Sequence, residues 1–442
     1  MPKILHLGFG NFHRAHQAWY TQQSNQFESD PWSIIGVSMV RSDIRDSLQA
    51  VGFSYPLAII GTEGEETKSM TVHENVLVAS EDPEAVIEAI ADPCVKIVTL
   101  TITEKGYHQS PDGGLDLLSD AVIRDLDGKG PMTAIGLLAR GLATRCAKSA
   151  PLTVISCDNL PENGRRLRKT IDDFSRQAEL VLNHQFLSFP NTMVDRITPA
   201  TTEETKAFVA ERGHTSQFPV IAERFSEWVI EDNFAAERPQ WEKAGVTIAK
   251  NVAPFELRKL RMLNAAHSLL AYGGLIRGHD YVHQAISDPY LKDIVTGLWD
   301  EAAETLPKES RVSADAYQRD LLERFAQPAM KHELRQIASD GTLKMQVRIL
   351  STLQERQKRG RSVKFCTSAF ASWLAFWISG KDAPDPKRLA LMETVASSNN
   401  EEEVQKRILG DVEGGHALDP LALRDAVSEW LDLSFFTKKT KF

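Results

Sequence analysis

Lys259, Asn264 and His267 are three side chains whose types and spacing could do chemistry. They form the pattern K-x4-N-x2-H inside the segment 255–272, FELRKLRMLNAAHSLLAY. A lysine able to give up its proton, a neutral amide donor and an imidazole together suit removal of a proton from an alcohol. On a helix turning roughly 100° per residue, Asn264 lies about 140° round from Lys259 and His267 about 80°, so His267 falls between them. All three can then point into one cavity. The competing account is a solvated polar stripe. Against it, the trio sits in a strongly apolar segment, and the small residues Ala265 and Ala266 beside it leave room for a ligand.

The element that must position them is a single helix over 255–272. Leu257, Leu260, Leu263, Leu269 and Leu270 supply its apolar stripe, Pro254 stands where a proline is tolerated, and Gly273-Gly274 is expected to stop it. Upstream, the apolar run 3–7 enters Gly8-Phe9-Gly10-Asn11-Phe12-His13-Arg14, and a helix is expected over 16–23. Strand, glycine turn and helix make the first half of a nucleotide-binding βαβ unit. Gly8 would permit the turn and Gly10 would let the backbone approach a pyrophosphate, with Asn11 and Phe12 beside it. His13 stands where the motif has its third glycine.

A second strand is expected over 32–39, followed by Asp43. An acidic residue there commonly takes the adenosine ribose hydroxyls, which points to NAD. Arg41 and Arg45 nearby could instead receive a 2′-phosphate, so NADP stays open; Asp43 could also be a helix N-cap. Residues 68–78 add a strand or two, 85–90 a helix, and 96–103 a buried strand ending at Thr103 and Glu104. Glu104 could meet nicotinamide, relay a proton or hold structure. Helix 132–148, strand 151–156, a polar loop containing Asn159 and helix 164–183 complete an alternating series, which implies a parallel α/β sheet. Segment 189–199 reads as a structured loop. From 254 onward the pattern is helical: 255–272, 280–286, 290–304, 314–326, 330–338, 345–357, 364–379, 386–395, 400–409 and 420–433. The fold class is therefore α/β, with a Rossmann-type domain over 1–250 and a mainly α-helical domain over 251–442.

Bulk properties bound the function. The chain has 442 residues, 42% hydrophobic and 25% charged, with a net charge of −9. That gives no encouragement to binding of nucleic acid or anionic membrane. No apolar run reaches the roughly 18 residues needed to span a bilayer. The first residues go directly into a strand-like segment, and Cys94, Cys146, Cys157 and Cys366 lack CxxC spacing. A cytoplasmic protein with reduced thiols is expected. No HExxH occurs, His13 and His16 are expected to pack, and the expectation is no metal.

Six stretches in order, LGFGNFHRAHQAWY (7–20), TITEKGY (101–107), SCDNLPENG (156–164), FPNTMVDRITP (189–199), WVIEDNF (228–234) and KLRMLNAAHS (259–268), resemble the polyol-specific long-chain dehydrogenases. That family includes mannitol 2-dehydrogenase and fructuronate reductase (D-mannonate oxidoreductase). The resemblance implies an N-terminal Rossmann-type domain, a helical C-terminal domain with the active site between them, and catalysis without zinc. It implies Lys259 as general base, Asn191 and Asn264 steadying the reacting oxygen, and His267 orienting substrate hydroxyls. A free lysine has a pKa near ~10.4, so burial or a nearby cation would have to lower it. The resemblance also places Lys344 on the polyol chain, and Gln336 where some mannitol enzymes carry an arginine. That departure leans toward hexuronate reduction, in which Arg348 could meet a carboxylate or be a helix-surface arginine. Asp232 could orient substrate or lysine, though Glu231 adjoins it. A small polyol or sugar-acid substrate and a monomer are expected, with mannitol/fructose and mannonate/fructuronate the leading pairs and other hexitols or pentitols (altritol, sorbitol, arabinitol) behind them; a nucleotide-binding regulatory protein without turnover is the alternative of another class.

Overall fold

The structure is a computed structural model that describes residues 1–439 other than 62, 63, 111, 112, 130, 131 and 413. The chain divides into two compact units, Met1–Ala253 and Pro254–Phe442.

The first unit contains β1 (Lys3–Leu7), β2 (Ser33–Ser38), β3 (Tyr55–Gly61), β4 (Gly64–Met70), β5 (His73–Val78), β6 (Val95–Leu100), β7 (Leu152–Ser156), β8 (Leu187–Ser188), β9 (Thr192–Asp195), β10 (Val220–Glu223), β11 (Glu227–Glu231) and β12 (Thr247–Ala249). Six strands form one sheet in the order β5-β2-β1-β6-β7-β8, all neighbours parallel. This is the dinucleotide-binding order, and its switch point lies between β1 and β6. Both faces are covered, as runs such as VKIVTL require. Leu5 and Leu7 pack into one core with helices Pro83–Ala91, Ala134–Ala147 and Asn163–Gln177, while Ile4 packs into the other with Tyr20 and Trp228.

Several expectations are corrected here. The first helix is two pieces, Asn11–Ala15 and Gln17–Ser24, broken at His16, whose backbone (φ −115°, ψ −81°) is not helical. Strand β3, with no sequence expectation, pairs antiparallel with β4 and parallel with β10 in a separate sheet. The 96–103 strand stops at Leu100, because Thr103 already belongs to a helical turn. The 164–183 helix ends at Gln177. The loop at 189–199 contains β9, which pairs antiparallel with β11.

In the second unit the 255–272 segment is a longer helix with an irregularity. Ala253–Lys259 is α-helical, Leu260–Asn264 is π-helical, and Ala265–Ile276 is α-helical again. In the wide turn the Ala265 N–H reaches back five residues to the Leu260 carbonyl. Gly273 and Gly274 do not stop the helix. A Cβ on Gly273 would lie 2.8 Å from Trp430 and 2.9 Å from Leu291, and one on Gly274 2.6 Å from Leu334. The glycines admit neighbouring side chains. Every residue from Ala265 to Ile276 is buried, so this helix is the core of its unit, packed by helices Val282–Ser287, Pro289–Ala303, Leu334–Ile337 and Lys364–Ile378. A second interrupted helix runs Gly341–Met345, Gln346–Leu350 (π) and Ser351–Lys358, and its wide turn packs against the first. Residues 330–338 form only a short helix, Leu334–Ile337. No described helix is long and apolar enough to cross a membrane.

Candidate active site

The glycine turn lies at the carboxyl end of β1, beside the switch point. Gly8 adopts φ +97°, and a side chain there would overlap the Thr101 carbonyl at the end of β6. Gly8 and Phe9 N–H groups both donate to the Val37 carbonyl at 3.0 Å, which ties the turn to β2. Within 4 Å of a Cβ on Gly10 there is only the Gly8 carbonyl, so its backbone can be approached closely. This lining fits a dinucleotide pyrophosphate. The Asn11 side chain is committed to the fold: Nδ2 donates to Pro199 O (3.1 Å) and Thr201 Oγ1 (3.0 Å), and Oδ1 accepts from Arg14 (2.6 Å). Only its backbone is left for a ligand. Phe12 is half-buried and stacks on His16 at 4.9 Å.

His13 does not substitute for a glycine by leaving space. It is buried, stacked on His6 with ring centroids 3.4 Å apart, and its Nε2 lies 3.0 Å from His73 Nε2. Burial holds all three imidazoles below the ordinary histidine range, His73 to about 3. His16 turns away to the Glu227 carbonyl. Among the described residues no group of three or more His, Cys, Asp or Glu could hold a metal ion.

Asp43 follows β2 as the first residue of a helix; the N-cap position is Ser42, which corrects the capping alternative. The exposed Asp43 carboxylate pairs with Arg41, whose hydrogen bond holds it below the usual carboxylate range. Arg45 pairs with Asp46 and Glu81. At the end of β6, Thr103 adopts φ +64°, a strained conformation for a β-branched residue. Asp158, after β7, holds it there: its carboxylate accepts from the Ile102 and Thr103 N–H groups at 3.0 and 2.9 Å and from the Tyr107 hydroxyl at 2.7 Å. Burial lifts the Asp158 pKa above the usual value. Glu104 and Asn159 are exposed beside this clamp.

Asn191 is buried, and its amide orientation is dictated by its partners. Oδ1 accepts from the Gly164 and Arg165 N–H groups at 3.1 and 3.2 Å, at the start of the Asn163–Gln177 helix. The Nδ2 hydrogens are thereby left for another acceptor. The Asn191 N–H donates to Glu231 Oε2 at 2.9 Å, and its carbonyl accepts from the Glu231 N–H at 2.9 Å. Glu231 is therefore the inward carboxylate, while the Asp232 side chain is exposed. Asn163, fully buried, joins the loop after β7 to β9: Nδ2 donates to the Ser156 and Thr192 carbonyls, and Oδ1 accepts from Thr192 N–H at 2.9 Å. The sequence reading missed Asn163, Glu231 and Asp158 as supports. The signal available was polar residues packed among apolar ones inside two of the six motifs.

In the second unit the wide turn separates Lys259 from Asn264 and His267. Lys259 is 7% exposed. Asn264 ends the turn, half-buried. Because the i→i+5 turn rotates less per residue than a regular helix, the 140° and 80° separations expected of a uniform helix do not apply, and π-turns of this kind recur at functional sites. His267 is buried, packed on Phe325 (4.7 Å) and edge-on to His332 (5.1 Å), and its Nε2 has no hydrogen-bond partner among the described residues. Burial, then the charges of His332, Arg324, Arg348 and Lys259, drive its pKa well below the ordinary value. It is a neutral imidazole. His332, also depressed by burial and by Arg324, is a neighbour that no motif in the chain singles out.

Arg348 comes from the second wide turn and donates through Nη1 to Asn264 O and Ser268 Oγ, both at 3.1 Å. It is inserted between the two helices, which corrects the helix-surface alternative. Lys344 Nζ donates to Ser339 O (2.6 Å) and Ile337 O (3.3 Å), at the end of the Leu334–Ile337 helix. The Gln336 side chain is exposed.

Comparison with known proteins gives a concordant result. The sequence matches the mannitol dehydrogenase Rossmann domain over residues 2–243 and the mannitol dehydrogenase C-terminal domain over residues 251–410. It is 37% identical over 389 residues to mannitol 2-dehydrogenase of Phaeosphaeria nodorum, covering 84% of this chain and 68% of that one. It is 35% identical over 386 residues to D-mannonate oxidoreductase of Escherichia coli, covering 85% and 79%. Among solved structures, a D-sorbitol dehydrogenase in substrate-free form aligns with TM-score 0.87 and 31% identity over 98% of this chain and 94% of that one. Mannitol 2-dehydrogenase of Pseudomonas fluorescens, in ternary complex with NAD and D-mannitol, aligns with TM-score 0.80 and 29% identity over 99% and 94%.

Proposed function

The chain belongs to the mannitol dehydrogenase family of NAD(P)-dependent alcohol dehydrogenases, and from that premise we propose that it interconverts an acyclic polyol or aldonate with the matching ketose or keto-acid and that Lys259 is the base. One observation carries the assignment of the base: a buried Lys259 adjoins a wide helical turn, beyond which lies a buried His267 whose Nε2 has no hydrogen-bond partner among the described residues.

NAD(P), when bound, supplies the acceptor for the hydride that leaves the carbinol carbon. Gly8, Gly10 and the backbone of Asn11 and Phe12 would hold its pyrophosphate, Asp43 its adenosine ribose, and Thr103, Glu104 and Asn159 its nicotinamide end. The ionised Asp43 favours NAD, and Arg41 beside it is the group a 2′-phosphate would recruit. Lys259 Nζ takes the substrate hydroxyl proton, and returns it when the reaction runs in reverse. The amides of Asn191 and Asn264 donate to the oxygen as it gains charge, each worth on the order of a few kcal/mol. The neutral His267 exchanges a hydrogen bond with a neighbouring substrate hydroxyl. Lys344 and Asp232 are proposed contacts to the polyol chain, with Gln336 as the position at which neutral and acidic substrates would be told apart. Proton transfer to an amine needs no metal, and none is assigned.

The test is NAD(P)H formation at alkaline pH, and its reverse at neutral pH. The panel holds mannitol, sorbitol, arabinitol, altritol and mannonate, with fructose and fructuronate in reverse. Turnover is expected with a hexitol or an aldonate. Tight NAD binding without turnover on any member would replace the reading with a nucleotide-binding regulator. Lys259→Ala should lower kcat by about three orders of magnitude or more with NAD affinity unchanged. A kcat within tenfold of the parent would remove Lys259 from the role of base.

A further inference from the structure

The inference rests on the lysine-base reading and concerns what holds its geometry. In a regular helix each interior carbonyl meets the N–H four residues on. A wide turn interrupts that ladder, which opens its carbonyls to donors from neighbouring elements. Two off-helix donors reach this one. Trp299 Nε1 donates to Met262 O at 3.0 Å, and Arg348 Nη1 donates to Asn264 O at 3.1 Å. The same Arg348 nitrogen donates to Ser268 Oγ at 3.1 Å, and Ser268 Oγ donates to Asn264 O at 3.3 Å. Guanidinium, hydroxyl and carbonyl close a triangle over the C-terminal edge of the turn. Arg348 is itself held in a wide turn, Gln346–Leu350, that packs against the first.

Lys259 precedes the turn and His267 follows it. Were the turn to relax to regular spacing, everything after it would rotate relative to Lys259 by up to roughly 100°, the rotation of one residue. We propose that Arg348 is a positioning residue for the dehydrogenase reaction: by pinning the Asn264 carbonyl and the Ser268 hydroxyl it maintains the wide turn that sets Lys259 against Asn264 and His267. Arg348 then acts on every substrate alike, through the helix rather than through a substrate carboxylate.

The experiment compares Arg348→Met, Arg348→Lys and Ser268→Ala with the parent. It follows hydrogen exchange over residues 260–268 without substrate, and kcat and KM for mannitol and mannonate. Arg348→Met should expose those amides to faster exchange and lower kcat by roughly 30- to 100-fold on whichever substrates the parent turns over, with KM for NAD unchanged. Because one nitrogen makes both bonds, Arg348→Lys should restore much of both. Unchanged exchange and kcat in Arg348→Met overturns the proposal. So does a KM increase confined to mannonate, which would make Arg348 a carboxylate contact. Should Arg348→Met fail to fold, Ser268→Ala decides: faster exchange over 260–268 with a fall in kcat supports the proposal, and parental values for both overturn it. If the parent turns over no polyol, the dehydrogenase reading fails while exchange still reports whether Arg348 holds the turn.

Discussion

Asn191 divides its two ends between fold and chemistry. Its oxygen accepts from the first N–H groups of the Asn163–Gln177 helix, so its NH2 is the end left to donate. Asn191→Asp keeps the acceptor and puts a negative charge where a helix start favours one. It should leave thermal stability near the parent value while lowering kcat by about 10²–10³, the effect of losing one donor to a developing oxyanion. Asn191→Ala should lose the same activity and also about 1 kcal/mol of stability, as capping substitutions do. Steady-state kinetics with melting curves separates the two: if Asn191→Asp turns over within tenfold of the parent, the donor role is wrong. The identity of Asn191 was legible from its motif. Its orientation was not, because that depends on Gly164 and Glu231, about 27 and 40 positions away in the chain.

At the scale of the element, the central helix of the second unit shows where local reading stops. Consecutive glycines after an apolar run read as a helix end. Here Gly273 and Gly274 lie inside a helix that ends at Ile276, pressed against Trp430, Leu291 and Leu334. Gly273→Ala gains about 1 kcal/mol in helix propensity but forces a methyl against two large side chains, a class of overpacking that costs about 1–3 kcal/mol. The variant should be less stable, by a lower denaturant midpoint for the second unit. A rise in that midpoint would mean that the glycines terminate the helix after all. The wide turns are similarly invisible to a uniform period. Nothing in LRMLN or QVRIL departs from helical composition; the turns depend on Trp299 and on the contact between the two helices.

At the scale of the molecule, buried neutral histidines make the first unit acid-labile. His6, His13 and His73 are fully enclosed beneath the glycine turn, and burial depresses all three. Their unfolded-state values lie near ~6.5, so below that pH the unfolded chain binds protons that the folded chain refuses. Stability is therefore intact above about pH 6.5 and falls as the pH drops from there toward the depressed folded values, at roughly 1.4 kcal/mol per pH unit for each histidine. Urea unfolding should show a loss approaching about 4 kcal/mol per unit below pH 6, in the same direction as a loss of NAD binding. An unfolding free energy that stays flat from pH 7 to pH 5 would contradict this account.

The sequence alone settled what is local. β-Branched apolar runs are strands wherever a sheet will have them, a glycine between strand and helix leaves few backbone options, and six motifs in order identify a family. It could place Lys259, Asn264 and His267 on one helix because spacing is a local property. Tertiary structure alone decided that Glu231 and not Asp232 supports Asn191, that Asn11 is tied to Pro199 and Thr201, and that Arg348 reaches Asn264. For Asn191, Glu231 and Asp232 are equally good hydrogen-bonding partners on paper. Only the packing of distant segments brings one of them within about 3 Å and leaves the other in water.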